Sequence, residues 1–489
     1  MRLFVCPIFN NVIWAIVRLW SKNAKYNFVK IIICTKKSLY FIVFVDFYPV
    51  IFTKMGSWCK MVFDRVPLKK YGTNMKGWYK TMAYSKFAKR YDFETVMDRR
   101  GLDSTKWDNI PIPGATVEPG FSHIPMWVAD MDFPTAPSVI DAIVGRLFAS
   151  PAMGYFGLAG TGFYDAIIKW HKERNNVVIE NPDVISYENS VLGGVSNVIR
   201  VYTNEGDPVL LHSPTYIGFT GTVNAAKRTI VLSELKQDEE GTYRMDFEDM
   251  EKKVVENNIK VAIFCNPHNP TGRVWEAWEI QKFVELMVKH DVKIISDEIW
   301  SDFIMEGTHL PAWSVSELAK DKVSCMYACT KTFNLAGLVG AYSVIHNDEC
   351  RAKCRELAAQ THYNQPNVLS VHALVGAYNE GAEYVDELIK VIKSNQQHAY
   401  DVMQTWGGLV KTQKPQGTYV MFLDWTEFCE KRGKTMDEVL NKCVSVGVIC
   451  QDGRPFHGPC HARFNFACPH SSVVEAFDRL TKYVINAEW

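Results

Sequence analysis

Several side chains with complementary chemistry occur in short, distinctive segments along the chain. The amide of Asn269 lies between two prolines, and the carboxylate of Asp297 and the amine of Lys331 each follow an apolar run. A guanidinium, Arg463, comes late in the sequence. A neutral amine can condense with an aldehyde, a carboxylate can hold a protonated ring nitrogen, and a guanidinium binds a carboxylate through two parallel N–H groups. These are the groups that a pyridoxal phosphate (PLP) site requires.

Alternating apolar runs predict the elements that position these groups. From Pro134 to Asn347, short β-branched runs alternate with helical patterns, which predicts βαβ units and an α/β fold with a mostly parallel central sheet flanked by helices. Because ligands in such sheets bind beyond the carboxyl ends of the strands, we expect Asn269, Asp297 and Lys331 to converge on one crevice. The predicted strands are 209–212, 229–232, 261–265, 292–296, 323–327 and 341–345, and a helix is predicted over 278–290.

These segments resemble the fold-type I PLP enzymes of the aspartate aminotransferase superfamily. A narrower resemblance, to the cystathionine β-lyase (C–S lyase) branch, is carried by residues 91–101, 125–133 and 331–338. It extends from about Tyr91 to the C-terminus. The resemblance implies an N-terminal segment, 82–133, that packs with the small domain. It also implies a large PLP-binding domain, 134–370, and a small C-terminal domain, 371–489.

The resemblance assigns roles to the four groups. Lys331 would form the Schiff base with PLP and then take the Cα proton of the substrate. Asp297 would pair with the pyridine nitrogen, and Asn269 would hydrogen-bond the 3′ oxygen of PLP. Arg463 would bind the α-carboxylate of a small amino-acid substrate.

Further residues are assigned to the cofactor in the same way. Tyr216 would stack on the PLP ring, and Thr330 would add a hydroxyl to the site. The backbone amides of Gly194 and Val195, at the start of a helix predicted over 197–203, would hold the phosphate, because a helix N-terminus favours an anion. Trp300 stands where relatives often have tyrosine or histidine. Its indole can donate a hydrogen bond to the 3′ oxygen but cannot accept one or titrate.

The remaining assignments concern the substrate and the assembly. Trp127 would line the substrate pocket, and Tyr155 would reach the cofactor of a neighbouring subunit, which implies a homodimer with shared active sites. The resemblance predicts β-elimination on cystathionine or a related cysteine conjugate, giving a thiol, pyruvate and ammonia. An aminotransferase using the same residues is the alternative. A PLP-binding regulator is a third reading, although residues 1–81 show no helix-turn-helix pattern.

Composition limits the kinds of partner and the cellular compartment that we expect for this protein. Lys+Arg and Asp+Glu are equal at 54 each, and no basic run with interleaved aromatic residues occurs from Tyr91 onward, so no nucleic-acid partner is expected. The 13 cysteines contain no Cys-x-x-Cys pair. They are typical of reduced thiols in a cytoplasmic protein, and no metal site is predicted.

Residues 1–81 differ from the rest of the chain and are rich in isoleucine, aromatic residues and lysine. Their two apolar stretches, 4–19 and 39–52, are each interrupted by a charge and are shorter than the ~20 residues that span a bilayer. The favoured interpretation is an extension ahead of a start at Met82 or Met75, and a weak membrane segment is the alternative.

Overall fold

The computed structural model describes residues 91–489 and, before them, four strands only. These strands lie in a unit of their own, Met1–Trp78, and form an antiparallel sheet in chain order. They are β1 (Arg2–Val5), β2 (Val12–Leu19), β3 (Phe28–Thr35) and β4 (Leu39–Ile42). The rest of the extension, including both proposed start positions, lies outside the described residues. No helix in the described part of the chain is long and apolar enough to cross a membrane.

A seven-stranded sheet forms the centre of the second unit, in the order β6-β14-β13-β12-β11-β7-β8. All neighbouring strands from β13 to β8 pair in parallel, and β14 pairs antiparallel with both of its neighbours. The mostly parallel sheet predicted from the sequence is therefore confirmed. The strands are β5 (Ile124–Pro125), β6 (Ile185–Glu188), β7 (Pro208–Ser213), β8 (Thr229–Glu234), β9 (Lys236–Gln237), β10 (Tyr243–Arg244), β11 (Val261–Cys265), β12 (Lys293–Asp297), β13 (Val323–Tyr327) and β14 (Ala341–Ile345).

Helices cover both faces of this sheet, which explains why β11, β13 and β14 are buried along their whole length. Between residues 91 and 380 the helices are α1 (Thr105–Asp108), α2 (Pro137–Ala149), α3 (Phe163–Arg174), α4 (Val191–Tyr202), α5 (Ile217–Ala225), α6 (Phe247–Glu256), α7 (Ala277–Lys289), α8 (Glu317–Lys322), α9 (Asp348–Gln360) and α10 (Val368–Glu380). Helix α7 corresponds to the helix predicted over 278–290 and begins with a capping box between Glu276 and Glu279.

A second layer is built from the C-terminal part of the chain. Its three-stranded sheet has the order β15-β18-β17, and β16 pairs in parallel with β5. Its elements are α11 (Ala382–Gln404), β15 (Val420–Asp424), α12 (Thr426–Arg432), α13 (Met436–Ser445), β16 (Val448–Ile449), β17 (Gln451–Asp452), β18 (His461–Asn465) and α14 (His470–Leu480).

The N-terminal segment joins this second layer. Ile112, Ile124 and Met126 are buried in one hydrophobic cluster with the residues of β15, β18 and α14. After Met126 the chain passes to the main core, where Met131 and Phe133 are buried. Residues 112–133 therefore contribute to both hydrophobic cores. The domain boundaries at 133/134 and 370/371 stay predictions.

Candidate active site

The crevice lies at the carboxyl ends of three neighbouring strands. Asp297 is the last residue of β12, and its register neighbours are Cys265 at the end of β11 and Met326 on β13. Asn269 follows β11 by four residues, and Lys331 follows β13 by the same distance. The parallel sheet therefore brings the predicted amide, acid and amine together at one edge.

The Lys331 side chain is partly buried in the crevice. Its Nζ donates a hydrogen bond of 2.6 Å to the backbone oxygen of Ala129 and lies 5.7 Å from the centre of the Trp300 ring. Burial, and secondly the nearby Arg463 guanidinium, lower the pKa of Lys331 from 10.5 to about 8. About a tenth of this amine is therefore neutral at pH 7, far more than for an ordinary lysine, and a Schiff-base lysine requires the neutral form.

Asp297 is a buried carboxyl with few polar partners among the described residues. One oxygen accepts a hydrogen bond of 3.0 Å from the Ile299 N–H, and burial raises the pKa of Asp297 to about 7. The neighbouring Glu298 adds to this rise, and Lys331 opposes it. A cationic ring nitrogen in the crevice would supply the missing positive partner, so this site fits a protonated pyridine.

Glu298 points away from the crevice into a buried polar network. It accepts hydrogen bonds from His309 Nε2 at 3.0 Å and from the Tyr327 hydroxyl at 2.6 Å, and a further one from the Ala312 N–H at 2.8 Å. Burial alone would raise the pKa of Glu298, but these partners lower it below its usual value. The carboxylate stays ionised directly behind Asp297, and no sequence motif indicated this.

Arg463 and Asn269 face each other across the crevice. Arg463 Nη1 donates to Asn269 Oδ1 at 3.3 Å, and Nη2 donates to the Trp127 backbone oxygen at 3.1 Å. The guanidinium lies 4.6 Å from the centre of the Phe456 ring, and burial lowers its pKa to about 10. Within the described residues its buried Nε has no hydrogen-bond partner. An anionic ligand would compensate this buried charge.

Two other predicted cofactor residues lie close to this group. Tyr216 is mostly buried at the start of α5, where burial raises its pKa and the charges of Arg463 and Asp297 act on it. Thr330 is partly buried immediately before the lysine. Their stacking and hydroxyl roles stay predictions.

The two tryptophans of the site are placed by protein contacts. Trp127 donates its indole N–H to the Lys106 backbone oxygen at 2.9 Å, and its own carbonyl accepts from Arg463. Trp300 is buried and packs edge-on against Tyr419, with ring centres 4.6 Å apart. Trp300 thus contacts the lysine through its ring face, and a contact with the 3′ oxygen of PLP stays a prediction.

The helix predicted over 197–203 begins earlier than expected, so its N-terminus lies ahead of Gly194 and Val195. Helix α4 begins at Val191, with Ser190 as the N-cap, and not at the predicted 197. The Gly194 N–H already donates to the Ser190 carbonyl at 3.1 Å, and Val195 lies deeper in the helix. The first-turn N–H groups, those of Val191 and Leu192, are the ones without an intrahelical acceptor. The sequence signal for the correct register was Ser190, a good N-cap residue.

Tyr155 does not lie in the crevice of its own chain. Its side chain is fully exposed, in the non-helical segment between α2 and α3. It therefore contributes nothing to the site of the single chain. A role in the site of a second subunit stays a prediction.

The segment 127–133 contributes more than the sequence analysis assigned to it. Lys106 is buried and pairs with Asp132 at 2.7 Å, and Arg99 pairs with Asp130 at 2.9 Å. Asn334, three residues after the lysine, exchanges hydrogen bonds with the Met131 backbone. These contacts fix the chain that presents the Ala129 carbonyl to Lys331.

Comparison with known proteins identifies the family of this chain. The family model for aminotransferase class I and II matches residues 124–480. The chain belongs to this family. It is 31% identical over 397 residues to cystathionine beta-lyase PatB of Bacillus subtilis, covering 80% of this chain and 98% of that protein. It is 32% identical to the MalY protein of Escherichia coli, covering 78% of this chain and 96% of that protein.

A solved structure of the family has the same fold. The PLP-bound C–S lyase from Staphylococcus hominis is 27% identical, with a TM-score of 0.73, and the match covers 82% of this chain and all of that one. Family membership and this relative confirm the predicted fold class and the PLP cofactor.

Proposed function

We propose that this enzyme is a PLP-dependent C–S β-lyase that acts on cystathionine or a related cysteine conjugate. The observation that carries the proposal is the partly buried Lys331 amine, with its lowered pKa, in a chain similar along most of its length to cystathionine beta-lyase PatB. The products would be a thiol, pyruvate and ammonia.

The residues of the crevice fit the cofactor. Bound PLP supplies the electron sink that makes the Cα proton of an amino acid acidic. Asp297 would hold the pyridine nitrogen, Asn269 the 3′ oxygen, and the first-turn N–H groups of Val191 and Leu192 the phosphate. Tyr216 would cover one face of the ring.

The protein's own groups perform the remaining tasks. Arg463 would bind the substrate α-carboxylate, which orients the Cα–H bond toward Lys331. The neutral lysine amine takes that proton, and its lowered pKa keeps it available as a base near neutral pH. The electron pair of the Cα–H bond then forms a Cα–Cβ double bond as the β-thiolate leaves. Water hydrolyses the resulting unsaturated amine to pyruvate and ammonia, so no keto acid is needed.

The experiment that tests this proposal measures product release from cystathionine without an added keto acid. We expect continuous formation of pyruvate, because elimination returns the enzyme to its starting state in every cycle. An aminotransferase, the alternative that the family name favours, would stop after one product per site and resume only when a keto acid is added. That result would move the assignment to transamination.

The assembly and the compartment are part of the same proposal. A homodimer would bring Tyr155, which is fully exposed in the single chain, to the site of its partner. The ten cysteines of the described residues are unpaired, which supports a reducing compartment such as the cytoplasm.

A further inference from the structure

One backbone oxygen in the crevice accepts hydrogen bonds from two side chains. The Ala129 carbonyl lies 2.6 Å from Lys331 Nζ and 2.8 Å from the Tyr419 hydroxyl oxygen. Tyr419 is completely buried, and burial raises its pKa well above the usual value, so it remains a neutral donor. The lysine amine and a phenol therefore share a single acceptor.

The position of the phenol is fixed by its ring. Tyr419 packs edge-on against Trp300, with ring centres 4.6 Å apart, and against Phe303 at 5.0 Å. Its neighbour Thr418 has a positive φ of 61° and donates its N–H to the Phe303 carbonyl. Because the backbone and both rings hold it, the hydroxyl has little freedom to turn away from Ala129.

The position of the carbonyl is fixed as well. The Asn465 amide nitrogen donates to the Val128 and Asp130 backbone oxygens, each at 2.6 Å, on either side of Ala129. Asp130 is paired with Arg99. The peptide therefore cannot rotate to offer each donor a separate acceptor.

Two donors at one oxygen affect the two charge states of lysine differently. The hydroxyl hydrogen carries partial positive charge, and it points at the same oxygen as the nitrogen that would carry the full charge of an ammonium group. Because the Ala129 oxygen also accepts from the phenol, the hydrogen bond that it forms with the ammonium group is weaker than it would be without Tyr419. Both effects favour the neutral amine, and they act strongly in a buried site.

We propose that Tyr419 is a positioning residue that holds the free Lys331 amine on the Ala129 carbonyl and favours its neutral, proton-accepting form. The inference rests on the proposed role of Lys331 as the base. The charged groups that face the lysine are Arg463 on β18, Asp130 on the N-terminal segment and Asp297 on β12. None of them is altered when the phenol hydroxyl is removed.

The test is Tyr419→Phe, which keeps the ring packing and removes one hydroxyl. Loss of one hydrogen-bond donor should raise the pKa of Lys331 by about half a unit to one unit. In the holoenzyme, the acid limb of the kcat profile should move upward by this amount with KM unchanged. In the full-length chain freed of PLP, labelling of Lys331 by an amine-acylating reagent, measured by peptide mass spectrometry, should show the same shift.

Tyr384→Phe is the matched control. Tyr384 is also buried and donates its hydroxyl to a backbone carbonyl, that of Pro134, at 2.8 Å. We expect this variant to leave both pH profiles in place. Unchanged labelling in Tyr419→Phe, or an equal shift in Tyr384→Phe, overturns the inference. If the wild-type enzyme does not release pyruvate from cystathionine, the proposed function fails, and the labelling experiment still decides the role of Tyr419.

Discussion

At the scale of single residues, the site combines an amine and an acid whose pKa values burial moves toward neutrality. Lys331 falls to about 8, and Asp297 rises to about 7. Neither group has a strong opposite charge from the protein as its direct partner among the described contacts. Such groups can exchange protons with a bound molecule and can form ion pairs with it.

Replacing Lys331 with alanine removes the amine that would bond to PLP. We expect the visible absorbance band of the purified enzyme to disappear or shift, and pyruvate release to fall to background. Absorbance spectroscopy and a pyruvate assay measure the two effects. Lys320→Ala, which removes a surface lysine paired with Glu317, is the control. A variant that keeps both the band and turnover would show that Lys331 is not the Schiff-base residue.

Asp297→Asn keeps the shape of the side chain and removes its charge. We expect some PLP to remain bound but turnover to drop by about 100-fold, because the ring nitrogen loses its anionic partner in a buried site. The ratio of kcat to bound PLP is the quantity to measure. Turnover within a factor of two or so of the wild-type value would contradict the role of Asp297.

At the scale of elements, strand β7 packs against helix α7 through a buried histidine. The ring of His212 lies 5.7 Å from that of Phe283, and its Nε2 has no hydrogen-bond partner in the described part of the chain. Burial lowers the pKa of His212 from 6.5 to about 4. The unfolded chain therefore binds a proton between pH 6.5 and 4 that the folded protein excludes, so acid weakens this packing.

His212→Phe should remove that sensitivity. When the pH is lowered from 7.5 to 5, the free energy of unfolding of the wild type should fall by on the order of 2 kcal/mol more than that of the variant. Urea denaturation at the two pH values measures this difference. The exposed His362→Gln is the control and should leave the pH dependence unchanged. An equal pH dependence in wild type and His212→Phe would mean that His212 is not held neutral.

At the scale of the whole molecule, all proposed site residues lie in the second unit. The chain divides after Trp78, and the family match begins at residue 124. We therefore expect a chain that begins at Met82 to fold, to bind PLP and to keep the turnover of the full chain. Thermal denaturation and PLP absorbance compare the two proteins. Loss of PLP binding on truncation would make the extension part of the fold.

The shared active site can be tested with mixed dimers. Lys331→Ala and Tyr155→Phe should each be poorly active alone. If Tyr155 serves the partner's site, mixing the two variants produces dimers in which one site has both native residues, and activity returns to about half the wild-type value per mixed dimer. Co-expression with two affinity tags isolates these dimers. No recovery would place Tyr155 outside the partner's site.

The sequence by itself determined the chemistry and the sheet. Asn269, Asp297 and Lys331 follow apolar runs whose length and β-branched residues specify buried parallel strands, so their position at one edge follows from local patterns. Arg463 could be assigned only by resemblance. It lies on β18, which pairs with β15 and not with the central sheet, so the strand-end argument does not apply to it.

Tertiary structure alone decided how these groups are tuned. The start of α4 is not one of these tertiary effects, because the Ser190 side chain, which accepts a hydrogen bond from the Gly193 N–H, is a local capping signal in the sequence. The Ala129 carbonyl accepts hydrogen bonds from Lys331 and Tyr419, which follow it by 202 and 290 positions along the chain. Local sequence patterns carry no information about such contacts, because burial and the direction of a hydrogen bond arise only when distant segments pack together.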